Sequence, residues 1–404
     1  MRVLVADRFP DRQIEKLRDR GHDVRYEPDL ETTSLPSSMA DTEVLVVRST
    51  EVTRRAIEDA EDLGLIVRAG AGTNTIDVHT ASARGVYVSN IPGKNAVAVA
   101  ELTMGLILAI DRRIPDNVAD LRDERWRKTE FSKGRGLMGR RLGIIGLGSI
   151  GFEVATRARA FGMKVAGLEK PDRSEDQELA IAHLRIKLYP DLQSMLPDCD
   201  VVTLHVPAEP ETNGLVDRDF LALMRHGSIL INTSRAEVVV TAELMAALDE
   251  KGIWAGLDVF SDEPDSGEAR YHSPLAQHPR VYGTHHIGAS TEQAQEEIAR
   301  QVIKVIDRYC EGRVRNVVNL AEPMSHTTVI GIRHADQVGV LSQVFSVLRN
   351  AGINVEHMEN HIFTGAQAAK AAMHIYGDFS DAVRKELTDL EGVFHVAALR
   401  GTDN

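Results

Sequence analysis

Cysteine is scarce: the chain has two in 404 residues, Cys199 and Cys310, with no CxxC pair and no metal-ligand spacing. Disulfide stapling and thiolate metal ligation are therefore not expected, and a reducing, cytoplasmic setting is the simplest reading. Positive charge is short as well. Lys plus Arg number 47 against 60 Asp plus Glu, a net charge of −13, which disfavours non-specific binding to nucleic acid or anionic membrane, so an anionic ligand has to be caught by local cations. Long apolar runs are missing, the longest being near Leu106–Ile110, too short to span a bilayer. The start, MRVLVADRF, passes straight into a strand pattern and is not expected to be a targeting leader. There is no repeat array and no low-complexity segment. What remains is a globular chain too long for one ordinary core, with two or three domains as the prior.

The chain does have glycine at one informative spacing. Leu142–Gly151, LGIIGLGSIG, reads as a buried strand running into GxGxxG at Gly146, Gly148 and Gly151, then a helical pattern through Val154, Ala155, Ala158 and Phe161. Such a turn brings backbone N–H groups of Gly148, Ser149 and Ile150 and a helix N-terminus to a pyrophosphate. A second strand, Lys164–Leu168, follows, and Glu169 stands eighteen residues after Gly151, where a carboxylate accepts the ribose hydroxyls. Glu169 repels a 2′-phosphate, so NAD is the expected cofactor; Lys170 and Arg173 nearby pull toward NADP.

Residues 1–93 alternate strand and helix (RVLVA, DVRY, EVLVVRS, LIVRAG, GVYVSN) without a pyrophosphate loop. This doubly wound pattern is a candidate substrate domain, because ligands bind beyond the carboxyl ends of parallel strands. The loops there are Arg48-Ser49-Thr50, Gly70-Ala71-Gly72-Thr73-Asn74 and Pro92-Gly93-Lys94-Asn95. Asn95–Ile110 reads as a helix apolar on nearly every side, buried in a core or between subunits. A polar segment, Asp111–Arg141, holds Trp126-Arg127-Lys128. Strands at 201–206, 228–233, 255–260 and 280–283 make a second parallel sheet of about six strands. Thr291–Tyr309 is a helix expected to return to the first domain. From Thr327 the order becomes strand, loop (His334–Gly339), helix, strand, strand, helix, strand, the ferredoxin-like βαββαβ. The expected division is 1–93 with 287–315 for substrate, 94–286 for the dinucleotide, a linker at 316–326 and a small domain at 327–404. The fold class is α/β: two doubly wound parallel sheets, flavodoxin-like and Rossmann, plus the βαββαβ unit.

Three later motifs, Ile231-Asn232-Thr233-Ser234-Arg235, Asp258-Val259-Phe260-Ser261-Asp262-Glu263-Pro264 and His285-His286-Ile287-Gly288-Ala289-Ser290-Thr291, join the glycine loop. Together they resemble the D-2-hydroxyacid dehydrogenases. VRAGAGTNTIDV and PGKNAVAVAE are similar to the phosphoglycerate-oxidising branch of that family, and the last domain resembles an ACT regulatory domain. The resemblance implies NAD-dependent oxidation of D-3-phosphoglycerate to 3-phosphohydroxypyruvate, the first step of L-serine biosynthesis. Another 2-hydroxyacid dehydrogenase, such as a glyoxylate or hydroxypyruvate reductase, is the enzyme alternative, and a non-catalytic NAD sensor the other. In the family's scheme Arg235 clamps the carboxylate, His286 is the acid–base group and Glu263 orients and stabilises its imidazolium. Asp258 takes the nicotinamide carboxamide, and His205, Val206, Pro207 and Thr233 line the cofactor.

For the substrate, Arg48 is the expected phosphate ligand, with Ser49 beside it and the backbone of Gly72 and Asn74 serving the carboxylate. Trp126 and Lys128 match a WxK segment that reaches a partner's cleft. Ala236 and His285 depart from the family's glycine and proline, so His286 is chosen for directly preceding Ile-Gly. His334, Asp336 and Asn354 form a candidate L-serine effector site in which Asp336 and Val338 depart from the pattern. A homo-oligomer, dimer or tetramer, is expected, with no nucleic acid, membrane or metal.

Overall fold

The computed structural model describes residues 1–264, 268–321 and 328–399, which divide into two compact units, Met1–Asn319 and Leu320–Asn404. The first unit holds two parallel sheets. The smaller is built from β1 (Arg2–Val5), β2 (Asp23–Tyr26), β3 (Val44–Val47), β4 (Leu65–Arg68) and β5 (Tyr87–Ser89), in the order β2-β1-β3-β4-β5, the flavodoxin-like winding. Its inner strands β1, β3 and β4 are apolar runs because both faces are covered, whereas the edge strand β2, DVRY, leaves Asp23 and Arg25 exposed. Val3, Val5, Val44, Val46 and Val67 pack with Ile14, Leu17 and the helix Glu292–Cys310 through Ile298, Val302 and Ile306. The alternate residues Leu4, Leu45, Val47, Ile66 and Val88 pack with Leu35, Ile57 and Ala81 on the other side.

The larger sheet has seven strands, not about six: β6 (Arg141–Ile145), β7 (Lys164–Leu168), β8 (Lys187–Tyr189), β9 (Val201–Leu204), β10 (Ile229–Asn232), β11 (Trp254–Leu257) and β12 (Val281–Gly283), ordered β12-β11-β10-β9-β6-β7-β8. The extra strand, β8, is three residues long and starts on a lysine, so it carries neither an apolar run nor clean alternation. The helix Ala96–Arg112 lies over β10 and β11 and packs Leu106, Ile107 and Ile110 with Leu142, Ile144 and Ile231. Val97 and Gly105 stay exposed, so the helix has a solvent edge despite its composition.

The segment expected as a linker begins as structure. Asn316 and Val318 exchange backbone hydrogen bonds with Asn90 and Val88, and the Asn319 side chain accepts the Val88 N–H at 2.9 Å, adding an antiparallel edge beside β5. Its later part, 322–327, lies outside the described residues. The second unit is a four-stranded antiparallel sheet of β13 (Thr328–Ala335), β14 (Asn354–Ile362), β15 (Ala368–Tyr376) and β16 (Val393–Leu399), ordered β14-β15-β13-β16, with helices Val340–Asn350 and Asp381–Thr388. Its core gathers Ile330, Ile332, Val344, Leu348, Met373 and Leu387. His334 is not in a loop as expected but inside β13.

Candidate active site

The cofactor cradle forms where β6 ends. Gly146 has φ +97°, and a Cβ there would fall on the carbonyl of His205, so only glycine lets the two strand ends close up. Gly148 caps the helix Ser149–Ala160 and faces open space, with nothing within 4 Å of the place a Cβ would take. Bare backbone, an N-terminal helix turn and empty volume together suit a pyrophosphate. His205 adds a second feature that fits a ligand: its Nε2 is bonded to Thr203 Oγ1 at 2.9 Å, whereas Nδ1 is buried without a partner. Burial pushes the imidazole down to about 3, so it stays neutral. Thr233, buried, shares a 3.0 Å hydrogen bond with Thr103 of the covering helix. Val206 is half-buried and Pro207 exposed. Glu169 lies exposed just past β7, beside Lys170 and Arg173 on a cavity of about 790 Å³. These residues fit a dinucleotide.

The candidate acid–base pair, His286 and Glu263, sits where the loops after β11 and β12 meet. Asp258, 1% exposed, directly follows β11. Its Oδ1 accepts from Thr284 Oγ1 (2.6 Å) and Ile287 N–H (2.9 Å), its Oδ2 from Gly288 N–H (2.8 Å), and its carbonyl from His286 N–H (2.8 Å). Three of the roughly four acceptor sites on the carboxylate are thus filled by the loop, which leaves room for one further donor. These bonds hold His286 at φ +51°, a left-handed conformation that costs a non-glycine residue about 1 kcal/mol or more and persists only where the surroundings over-determine it. His286 Nδ1 meets Glu263 Oε2 at 2.8 Å, and Glu263 Oε1 accepts the Phe260 N–H at 2.8 Å. Nε2 of His286 is left for solvent or substrate, the side chain being 51% exposed. Of the two adjoining histidines, His286 is the one paired to Glu263.

Three guanidinium groups, those of Arg48, Arg68 and Arg235, lie near one another. Arg235 follows β10 on a turn braced by Asn232, whose Oδ1 accepts from Ser234 N–H (3.0 Å) and whose Nδ2 donates to the Arg235 carbonyl (2.8 Å). Its Nη2 comes within 3.2 Å of where a Cβ on Gly72 would sit, so it reaches the GAGTN loop of the smaller sheet, where Asn74 Oδ1 also lies. The loop after β3 is pinned by Asp7, whose Oδ2 accepts the N–H groups of Arg48 (2.6 Å), Ser49 (3.1 Å) and Thr50 (3.1 Å). Arg48 Nη2 donates to Ser290 Oγ at 3.3 Å, touching the HIGAS motif.

Arg68 and Asp7 were not singled out from sequence. Arg68 ends β4, its Nε is buried without a partner, and a Cβ on Gly70 would fall on its guanidinium. Burial, then the charges of Arg235 and Arg48, hold Arg68 below the ordinary arginine range, with Asp7 opposing. The available signal was its place immediately before the chosen glycine loop.

The remaining candidates have surroundings of their own. Trp126 is 78% exposed, and its neighbours Arg125 and Arg127 both pair with the buried Asp120; Lys128 opens a short exposed helix. In the second unit His334 is 2% exposed, with Nε2 on Asn360 Oδ1 at 3.2 Å and Nδ1 on the Ala335 carbonyl at 2.8 Å. Asp336 is half-buried after β13, and Asn354 is exposed at the start of β14.

Residues 104–288 match the family model described as the D-isomer specific 2-hydroxyacid dehydrogenase, NAD binding domain, and residues 328–359 match the ACT domain. The chain is 39% identical to the D-3-phosphoglycerate dehydrogenase of Methanocaldococcus jannaschii over 79% of this chain and 60% of that one. It therefore spans less than two thirds of that relative's length. It is 38% identical to the hydroxypyruvate reductase of Thermotoga maritima over 69% of this chain and 88% of that protein. Among solved structures, the TT0316 protein of Thermus thermophilus superposes with a TM-score of 0.69 at 32% identity, covering 79% of this chain and all (100%) of that one. With an NAD-binding domain and a relative matched over nearly its whole length, the chain belongs to the D-isomer specific 2-hydroxyacid dehydrogenase family.

Proposed function

We propose that this chain oxidises D-3-phosphoglycerate to 3-phosphohydroxypyruvate, the opening step of L-serine formation. The observation that carries the reading is the convergence of Arg48, Arg68 and Arg235, with Arg48 bonded to Ser290 in the motif that also carries His286, itself paired to Glu263. A phosphorylated hydroxy acid brings about three negative charges at neutral pH, and three guanidinium groups with little carboxylate between them match that demand. When bound, NAD supplies the acceptor for the hydride leaving carbon 2. Residues Gly146, Gly148, Ser149, Ile150 and Gly151 hold its pyrophosphate, Glu169 the ribose, His205, Val206, Pro207 and Thr233 the flanks, and Asp258 the carboxamide.

Arg235 grips the carboxylate and the oxygen that becomes the carbonyl. His286 Nε2 takes the hydroxyl proton as the hydride leaves, and Glu263 stabilises the imidazolium that results. Arg48 and Arg68 neutralise the phosphate with the Ser49 hydroxyl beside them, and backbone N–H groups at Gly72 and Asn74 complete the anion cradle. The enzyme alternative, reduction of an unphosphorylated acid such as hydroxypyruvate, is favoured by the Thermotoga likeness but leaves the Arg48 and Arg68 charges without a partner.

Following NADH with 3-phosphoglycerate, D-glycerate, D-lactate and 2-hydroxyglutarate in parallel tests the reading. Turnover confined to unphosphorylated acids overturns it. The ACT match supports an amino-acid effector, with L-serine proposed at Asp336 and Asn354; an unchanged rate at saturating serine rejects that part. Exposed Val97, Ile114, Val118 and Leu121 support a homo-oligomer, and the scarcity of cysteine supports a cytoplasmic setting.

A further inference from the structure

At the opposite edge of the larger sheet lies a cavity of about 230 Å³. Its walls are the C-terminal end of the helix Ala96–Arg112, the segment around Glu130–Arg135, Arg140 just before β6, and the first residues of β10 and β11, Ile229 and Trp254. This is the amino-terminal side of the strands, whereas the glycine loop, Arg235 and His286 are all at the carboxyl side. The volume falls below the roughly 300–1,000 Å³ usual for drug-sized ligands and suits a compact group.

Its lining is cationic in a chain of net charge −13. Arg112, Arg113, Lys133, Arg135 and Arg140 face two lining acids, Asp111 and Glu130. Glu130 is shared between Arg113 (3.0 Å) and Lys133 (3.2 Å), and Arg135 reaches outside the cavity to Asp200 at 3.3 Å. Among the described residues Arg112 has no carboxylate partner.

Arg140 is the telling group. It is 8% exposed, its Nη1 donates to Asp111 Oδ1 at 2.8 Å, and its Nε is buried with no acceptor at all. The other Asp111 oxygen, Oδ2, accepts the Gly136 N–H at 3.0 Å rather than the Arg140 Nε–H. A buried guanidinium N–H without an acceptor is costly, and an oxygen inside the cavity removes that cost. The carbonyl ends of the helix would oppose an anion, but Asn117 Nδ2 caps two of them, Arg112 (3.2 Å) and Arg113 (2.8 Å).

We propose that this cavity is a second oxyanion site, distinct from the catalytic cleft, that binds a phosphoryl group through Arg112, Arg135 and Arg140. Its occupant is inorganic phosphate or the phosphoryl end of a small metabolite, since planar guanidinium forks and an excess of positive charge favour a multiply charged oxyanion. The seventeen-residue helix whose last turn forms the wall is about 25 Å long. It begins beside Gly93, where a Cβ would lie 3.5 Å from Ser149 Oγ of the cofactor loop. An anion at one end therefore bears on the element that borders the cofactor at the other.

The test uses the full-length protein, titrated with inorganic phosphate and, separately, ethyl phosphate by calorimetry and thermal shift at ionic strength held constant with chloride. A saturable response to either, kept in an Arg48→Ala/Arg68→Gln variant and weakened about tenfold or more in Arg112→Glu, is the expected result. Arg112→Glu retains NADH binding and phosphate-free turnover, which shows that it is folded; Arg140→Lys, which keeps the charge but loses the Nε donor, also weakens binding. Ethyl phosphate binding assigns a phosphorylated metabolite, and its failure beside phosphate binding assigns the free ion. A response lost in the Arg48/Arg68 variant, unchanged in Arg112→Glu, or unsaturable as for general salt stabilisation overturns the proposal.

Discussion

Replacing Glu263 separates two ways in which a carboxylate can serve a histidine. Its two oxygens have different partners: Oε1 accepts the Phe260 N–H at 2.8 Å and Oε2 meets His286 Nδ1 at 2.8 Å. In Glu263→Gln the amide has one acceptor and one donor end. The Phe260 N–H requires the oxygen, so the NH₂ turns to His286 and forces Nδ1 to accept. The proton of the neutral ring then sits on Nε2, the nitrogen facing the cleft, which can no longer act as a base. In Glu263→Ala the ring is free to choose its tautomer and loses only a charge-assisted bond. That bond is worth about 1.5–3 kcal/mol when desolvated, and the lower end applies here because the histidine side chain is half exposed.

The expected kcat falls about 10-fold in Glu263→Ala and about 10²–10⁴-fold in Glu263→Gln, the upper end being the loss that a wrong tautomer causes in a serine-protease triad. Steady-state NADH formation at saturating NAD and acid measures both. NADH fluorescence titration should find cofactor affinity within about threefold of the parent, which checks that the loops still fold. A Gln variant as active as, or more active than, the Ala variant would refute the tautomer argument.

Other parts of the site carry expectations of their own. Gly148→Ala puts a methyl into space with no neighbour within 4 Å, so thermal stability should hold while NAD affinity drops. Gly146→Ala, at φ +97° against the His205 carbonyl, should destabilise by about 1–3 kcal/mol or more, seen as a lower Tm without cofactor. Arg68→Gln should raise KM for a phosphorylated acid about 10- to 100-fold and leave an unphosphorylated acid within about twofold; equal effects on both would remove Arg68 from the phosphate. His205 is held neutral down to about pH 3, while its unfolded form takes a proton near 6.5. Unfolded chains therefore bind more protons in that window, and stability falls as pH drops from about 6.5 toward 3, by at most about 1.4 kcal/mol per unit from this group. His205→Gln should flatten the acid limb of a denaturation-versus-pH curve by up to one proton, and an unchanged slope would contradict the burial.

What could be read before folding was whatever local chemistry dictates. Five strand patterns matched all five strands of the smaller sheet, and the glycine spacing matched a tight turn after β6, because apolar runs follow from burial on two faces, the alternation of DVRY from burial on one, and the turn from backbone sterics. The rule that parallel sheets bind at strand ends picked out the loops after β3 and β4 that hold Arg48 and Gly72. β8 escaped because three residues with a lysine among them carry no period. The docking of Asn316 and Val318 on β5 escaped because an edge pairing depends on a neighbour more than 220 residues away. Asp258 shows the same limit within the site: the motif located it, but its hold on His286 and Gly288 runs through hydrogen bonds that only the meeting of β11 and β12 creates.

Arg68 is the instructive omission. In sequence it is the last residue of an apolar strand, where a charged side chain ordinarily turns to water. In the fold it is drawn under a glycine loop toward two other guanidinium groups, with one nitrogen buried and unbonded. Physical chemistry penalises each of those features in an isolated chain. An anion bound among the three guanidinium groups would relieve all of them at once, so the strongest argument for a charged substrate is a set of interactions that the protein leaves unmade.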